Sequence, residues 1–155
     1  VVDGAKAEVE MVKEAGATYI TALGNASEET LRIFVDTCKS LGVKSVIDMI
    51  NTPDPLRSLW KANIYPDVVT IHRGRDEENS FGEVIQYKNI AKIKGKWDVL
   101  VGAAGGIDEK EMQSASFNGA DIVVVNVVRP DDPWGGLVMD SSFKDHIKDF
   151  IKLVE

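Results

Sequence analysis

The sequence predicts an α/β fold of the (β/α)8 barrel type, and three observations carry that reading. Short apolar, β-branched stretches recur along the 155 residues, segments with helical spacing lie between them, and polar residues stand at the C-terminal ends of several different stretches. A doubly wound open sheet would satisfy the first two. It would gather its polar groups mainly at one switch point, and the G-x-G-x-x-G turn that often follows its first strand is missing here. A barrel brings all its strand ends to one mouth.

The elements follow in order. Gly4 to Ala15 has helical spacing and leads through "EAGATYI" into a strand over Ala17 to Leu23. Ser27 caps a helix running to Leu41, and "SLGVKSV" turns it into the strand Val43 to Met49. Asp54 to Ala62 is the next helix and Asp67 to His72 the next strand, followed by a helix over Gly82 to Lys94 and a strand over Asp98 to Ala103. Asp108 to Asn118 is helical, "FNGADIV" leads into the strand Asp121 to Val127, and Ser142 to Val154 forms the last helix. No linker or low-complexity tract divides the chain, so residues 1–155 are read as one domain. Five strands are fewer than closure requires, so the N-terminal strands, about three, are expected to be absent from this stretch.

Composition narrows the function classes. No apolar run approaches the roughly 18 to 20 residues that span a bilayer, and the first residues lack the pattern of a secretory leader. A net charge of −7, with 18 basic residues spread along the chain, argues against a nucleic-acid surface. Cys38 is the single cysteine and has no disulfide partner, which fits a reducing cytoplasm. There is no CxxC, HExxH or Walker A pattern, so zinc and P-loop chemistry are not expected. An anionic ligand must be caught by a few placed groups.

Asp48 interrupts an apolar strand in "VIDMI", where burial of an unpaired carboxylate is costly, so it is expected to face a polar mouth, a metal or a cation. His72 ends a strand just before a charged run and suits proton transfer near neutral pH; the alternative is a half-buried histidine that only hydrogen-bonds. Arg75, three residues on, has the shape to clamp a carboxylate, a phosphate or an enediolate, against the alternative of a solvated loop arginine. "GAAGGID" joins strand to helix through Gly105 and Gly106, a turn whose backbone N–H groups can approach an anion. In "RPDDPWGG", Arg129 could reach a phosphate from what reads as a surface loop. His146 reads as solvated, and Cys38 as core.

Four blocks in this order, "VIDMINTPDP", "PDVVTIHRGRD", "VGAAGGID" and "GADIVVVN", resemble the last five strands of the orotidine monophosphate decarboxylase superfamily, a ribulose-phosphate-binding (β/α)8 barrel. The closest branch is 3-hexulose-6-phosphate synthase, which archaea also fuse to a formaldehyde-activating enzyme; 3-keto-L-gulonate-6-phosphate decarboxylase stands beside it. The resemblance implies a carbon-carbon lyase: Mg2+-dependent, reversible aldol addition of formaldehyde to D-ribulose 5-phosphate in a cytoplasmic homodimer. It implies that Asp3, in "VVDGAKAEVEMVKEAGA", is the last aspartate of an Asp-x-Lys-x-x-Asp signature and reaches into a neighbouring subunit's site. The signature lysine and the other metal ligand would then lie upstream of Val1, leaving Asp48 as the candidate metal contact here. Asp48 would touch substrate or metal, His72 and Arg75 would handle protons and the enediolate, and Gly105 with Gly106 would hold phosphate. Asn126 and Val127 stand where the family usually reads Gly-Arg, which leaves the phosphate to Asn126 and Arg129. Two other readings remain: a decarboxylase of the same superfamily, acting on a keto-gulonate or orotidine phosphate, and a non-catalytic sugar-phosphate binder.

Overall fold

The computed structural model describes residues 1–78 and 84–153. Strands β1 (Tyr19–Leu23), β2 (Lys44–Asp48), β3 (Val68–His72), β4 (Leu100–Ala104) and β5 (Ile122–Val123) form one parallel sheet in sequential order. Helices α1 (Ala5–Glu14), α2 (Glu28–Leu41), α3 (Pro55–Ala62), α4 (Lys88–Lys94) and α5 (Glu109–Phe117) alternate with them; β6 (Val127–Val128), β7 (Leu137–Val138) and α6 (Phe143–Lys152) complete the described chain. This is the alternating, all-parallel order expected of a barrel wall.

The helices have local reasons to start where they do. The Ser27 hydroxyl accepts the Thr30 N–H, the Asp54 carboxylate accepts the Arg57 N–H ahead of Pro55, and the Asp108 carboxylate accepts the Glu111 N–H. These groups answer donors that a first helical turn cannot satisfy within itself. On α2, Leu31, Phe34, Val35 and Cys38 recur at the spacing of one helix face and are all buried. They pack towards the outer side of the sheet, where Ile47, Val69, Val101 and Ala103 are fully buried. Alternation sends the other residues of each strand to the opposite face. There Tyr19, Leu100, Ile122 and Val124 are 55%, 48%, 38% and 50% exposed, so helices cover one side of the sheet and leave the concave side open.

Two aspartates bind the N-terminal ends of neighbouring strands together. Asp67, just before β3, accepts the backbone N–H and hydroxyl of Ser45 on β2 at 2.9 and 3.0 Å and the Lys44 ammonium at 2.7 Å. Asp121, just before β5, repeats the arrangement with the Val101 N–H at 2.8 Å and the Lys94 ammonium at 2.7 Å. Burial pushes the Asp67 carboxyl up, but Lys44 and Ser45 more than offset it and hold it below its ordinary value. At the other end of β1, Val1 donates to Thr21 O and accepts from Leu23 N, the bonding of a parallel neighbour.

Two expectations need correction. The strand expected over Asp121 to Val127 pairs with β4 only at Ile122–Val123, with a last bond from Val124 N–H to Ala103 O; Val127–Val128 instead pairs with β7 and follows a different neighbour. The helix expected from Gly82 begins at Lys88, with Gly82 itself outside the described residues.

Asp67→Asn is expected to lower stability by about 1–2 kcal/mol at neutral pH by weakening charge-assisted hydrogen bonds. Because the folded carboxyl value is depressed, the deficit is fully present above the unfolded value of about 3.9 and fades as pH falls through the folded one. Urea unfolding midpoints of both proteins across that range check it.

Candidate active site

Parallel pairing puts the C-terminal ends of β2 and β3 side by side, with Asp48 the last residue of one and His72 the last of the other. Both side chains face the concave side and meet there. His72 Nδ1 lies 2.9 Å from Asp48 Oδ2 and 3.0 Å from Oδ1, and Oδ1 also accepts the Ile50 N–H at 2.9 Å. An ionised carboxylate can only accept, so against Asp48 in that form Nδ1 carries the proton of this contact, in which Nε2 takes no part. The side chains of His72 and Asp48 are 27% and 20% exposed, half-sheltered and open to a ligand. A cleft of about 880 Å³ between α3 and α4 reaches His72 from the helix side, lined by Met49, Leu56, Ile71, Asn89 and Lys92 among others, and Asp48 is not part of its lining.

Two arginines leave the same charged block in different directions. Arg75 opens a 3-10 turn, Arg75–Glu77, and its guanidinium carbon lies 5.0 Å from the centre of the Trp134 ring. Arg73 turns the other way: its Nη2 donates to Gly105 O at 3.0 Å, and its backbone N–H bonds Ala104 O.

The glycine turn is tight. Gly105 and Gly106 have φ of 102° and 64°, a left-handed conformation that side chains disfavour, and a Cβ on Gly105 would stand 2.1 Å from Arg73 O. Both glycines are buried, since Gly135 packs against Gly106 O and the Arg73 and Glu78 side chains lie against Gly106. One Glu78 carboxylate oxygen is buried with no hydrogen-bond partner among the described residues. The turn is thus covered by protein on this side.

The other expected residues are spread around the same rim. Asp3 is exposed just beyond the end of the Val1 pairing with β1, its carboxylate accepting the Gly4 N–H. Asn126 is half-buried and its carbonyl accepts the Leu137 N–H, which ties β6 to β7. Arg129 is exposed, its backbone N–H held by Asp132. The "RPDDPWGG" segment, read as a surface loop, is exposed from Arg129 to Pro133, and its end packs on the glycine turn through Gly135. His146, read as solvated, is half-buried with Nδ1 3.4 Å from Val138 O. Cys38 is core as expected, and burial, with Asp67 second, pushes its thiol up to about 11, far from a nucleophile's range.

Sequence reasoning assigned no role to Arg73, Glu78 or Trp134. Arg73 sits in the same "HRGRD" block as His72 and Arg75, and Trp134 precedes two glycines; neither spacing says what the side chain will touch. For magnesium, the test is the donor set. A hard dication seeks about six oxygens, and among the described residues no three histidine, cysteine or acidic side chains gather to hold a metal. Asp48 has its oxygens engaged by His72 and Ile50, so these residues by themselves do not form a magnesium cradle.

No family model matches the chain. Among curated proteins it is 35% identical over 123 residues to the bifunctional enzyme Fae/Hps of Methanothrix thermoacetophila, a match that covers 79% of this chain and 31% of that one. The chain spans about a third of the length of the curated relatives it matches. Among solved structures it superposes on the 3-hexulose-6-phosphate synthase of Salmonella typhimurium with a TM-score of 0.77 at 23% identity, covering 99% of this chain and 69% of that chain. It also superposes on the 3-keto-L-gulonate-6-phosphate decarboxylase of Vibrio cholerae with a TM-score of 0.65 at 16% identity, covering 99% of this chain and 68% of that one. These likenesses show the barrel-type fold, of which the five strands form a continuous part.

Gly105→Ala is expected to cost about 3 kcal/mol or more, since the added methyl meets backbone in a left-handed conformation. Thermal unfolding against a Gly95→Ala control, at a helix end with φ of −72°, checks it.

Proposed function

We propose a function on the premise that the chain belongs to the 3-hexulose-6-phosphate synthase branch of the orotidine monophosphate decarboxylase superfamily: it serves the reversible aldol addition of formaldehyde to D-ribulose 5-phosphate. The observation that carries the proposal is the Asp48–His72 pair at adjacent strand ends. Asp48 orients the ring and leaves Nε2 to move a proton, the arrangement that general acid-base work requires. In the forward direction a proton leaves C1 of the ketose, the enediolate carbon attacks formaldehyde, and the new alkoxide takes up a proton. His72 is assigned the proton transfers at the substrate, and Arg75 the negative charge that develops on oxygen. The described donors are by themselves too few to hold magnesium.

The remaining assignments follow the same reading. Residues 1–155 act as one unit of barrel wall. Gly105, Gly106, Asn126 and Arg129 stand on the phosphate side, and Asp3 serves a neighbouring site in a homodimer. Cytoplasmic location fits the single buried thiol of Cys38; among the described residues no helix is long and apolar enough to cross a membrane. A second reading, a sugar-phosphate binder without catalysis, is favoured by Asn126 with Val127 in place of Gly-Arg and by described donors too few to hold magnesium.

The complete gene product, given formaldehyde and D-ribulose 5-phosphate, is expected to consume formaldehyde. His72→Ala is expected to lower kcat/KM by about a hundredfold or more, the usual scale of a lost general acid or base. Carbon dioxide release from 3-keto-L-gulonate 6-phosphate would move the assignment to the decarboxylase, and saturable binding of ribulose 5-phosphate without turnover would sink both enzymes in favour of the binder.

A further inference from the structure

The connection between β6 and β7 delivers an aromatic ring to the rim from a backbone that runs close to its neighbours. A Cβ on Gly135 would stand 2.8 Å from Gly106 O, and one on Gly136 2.6 Å from Asn126 O. Only glycines let this backbone approach the turn so closely. Trp134, half-buried beside them, presents its ring to Arg75, whose guanidinium carbon is 5.0 Å from the ring centre. Arg75 itself is exposed on the short turn after β3.

The chemistry of this contact separates orientation from neutralisation. A carboxylate beside Arg75 would fix the side chain but cancel its charge towards a ligand. The indole face attracts the guanidinium through its quadrupole and leaves the charge intact, with the fork of N–H donors able to meet an anion. Ordering the arginine before the ligand arrives also removes part of the entropy cost of binding. The arginine of this connection, Arg129, is exposed and has its backbone tied to Asp132.

We propose that Trp134 is a positioning residue, which holds Arg75 at the rim to receive the anionic oxygens of a sugar phosphate or its enediolate. The segment after β6 thus serves the site through a ring besides the charge of Arg129. The assignment rests on the function proposed above.

Two readouts on the full chain test it: titration with D-ribulose 5-phosphate, and the Nε–H resonance of Arg75 in isotope-labelled protein. Trp134→Ala is expected to weaken ribulose 5-phosphate binding about two- to fivefold, the scale of an exposed cation–π contact. Trp134→Phe restores most of it, and in an Arg75→Ala background Trp134→Ala costs nothing further. The Arg75 resonance, displaced by the indole ring current in the wild type, loses that displacement in Trp134→Ala. Unchanged affinity in Trp134→Ala, or an equal loss with and without Arg75, overturns the proposal, as does a wild-type Arg75 resonance with no ring-current displacement. A displaced resonance in a protein that binds no ribulose 5-phosphate overturns the underlying function and leaves the contact standing.

Discussion

Parallel pairing is the constraint on which the rest of the structure depends. When five strands run the same way in sequential order, every C-terminal end falls on one rim and every N-terminal end on the other. Alternation then divides each strand between a face buried under helices and a concave face. Asp48 and His72 meet because both close their strands on the concave side, and one ladder of hydrogen bonds joins those strands. A separation of 24 positions along the chain would not otherwise bring them within 2.9 Å.

The same side-chain type does opposite work at the two rims. Asp67 and Asp121 face lysine ammonium groups and backbone N–H donors, a setting that favours a fixed charge. Asp48 faces an imidazole, whose proton content can change during a reaction, and a single backbone donor. The difference lies in the partner. A lysine partner anchors strands; a histidine partner makes the pair capable of chemistry.

Much of this was legible in the sequence because it depends on short-range pattern. β-Branched runs ended by Asp48 and by His72 marked both the strands and the rim, and Ser27, Asp54 and Asp108 act as helix caps. What the sequence did not disclose are contacts between distant segments. Arg73 and Arg75 stand close together in one charged block, yet one binds a glycine carbonyl of the next turn and the other an indole contributed from beyond β6. The valines of "DIVVVNV" are likewise divided between two partners, Val123 with β4 and Val127 with β7, a fact about neighbours and not about the run itself. Spacing along a chain carries no trace of such meetings.

The aspartate anchors before β3 and β5 lie a full strand length from the rim that carries Asp48 and His72. Their separation decouples two kinds of selection. Substitutions around Lys44, Asp67, Lys94 and Asp121 can adjust heat tolerance while the Asp48–His72 contact is left untouched, and loops on the opposite rim can change without loosening the scaffold that carries them.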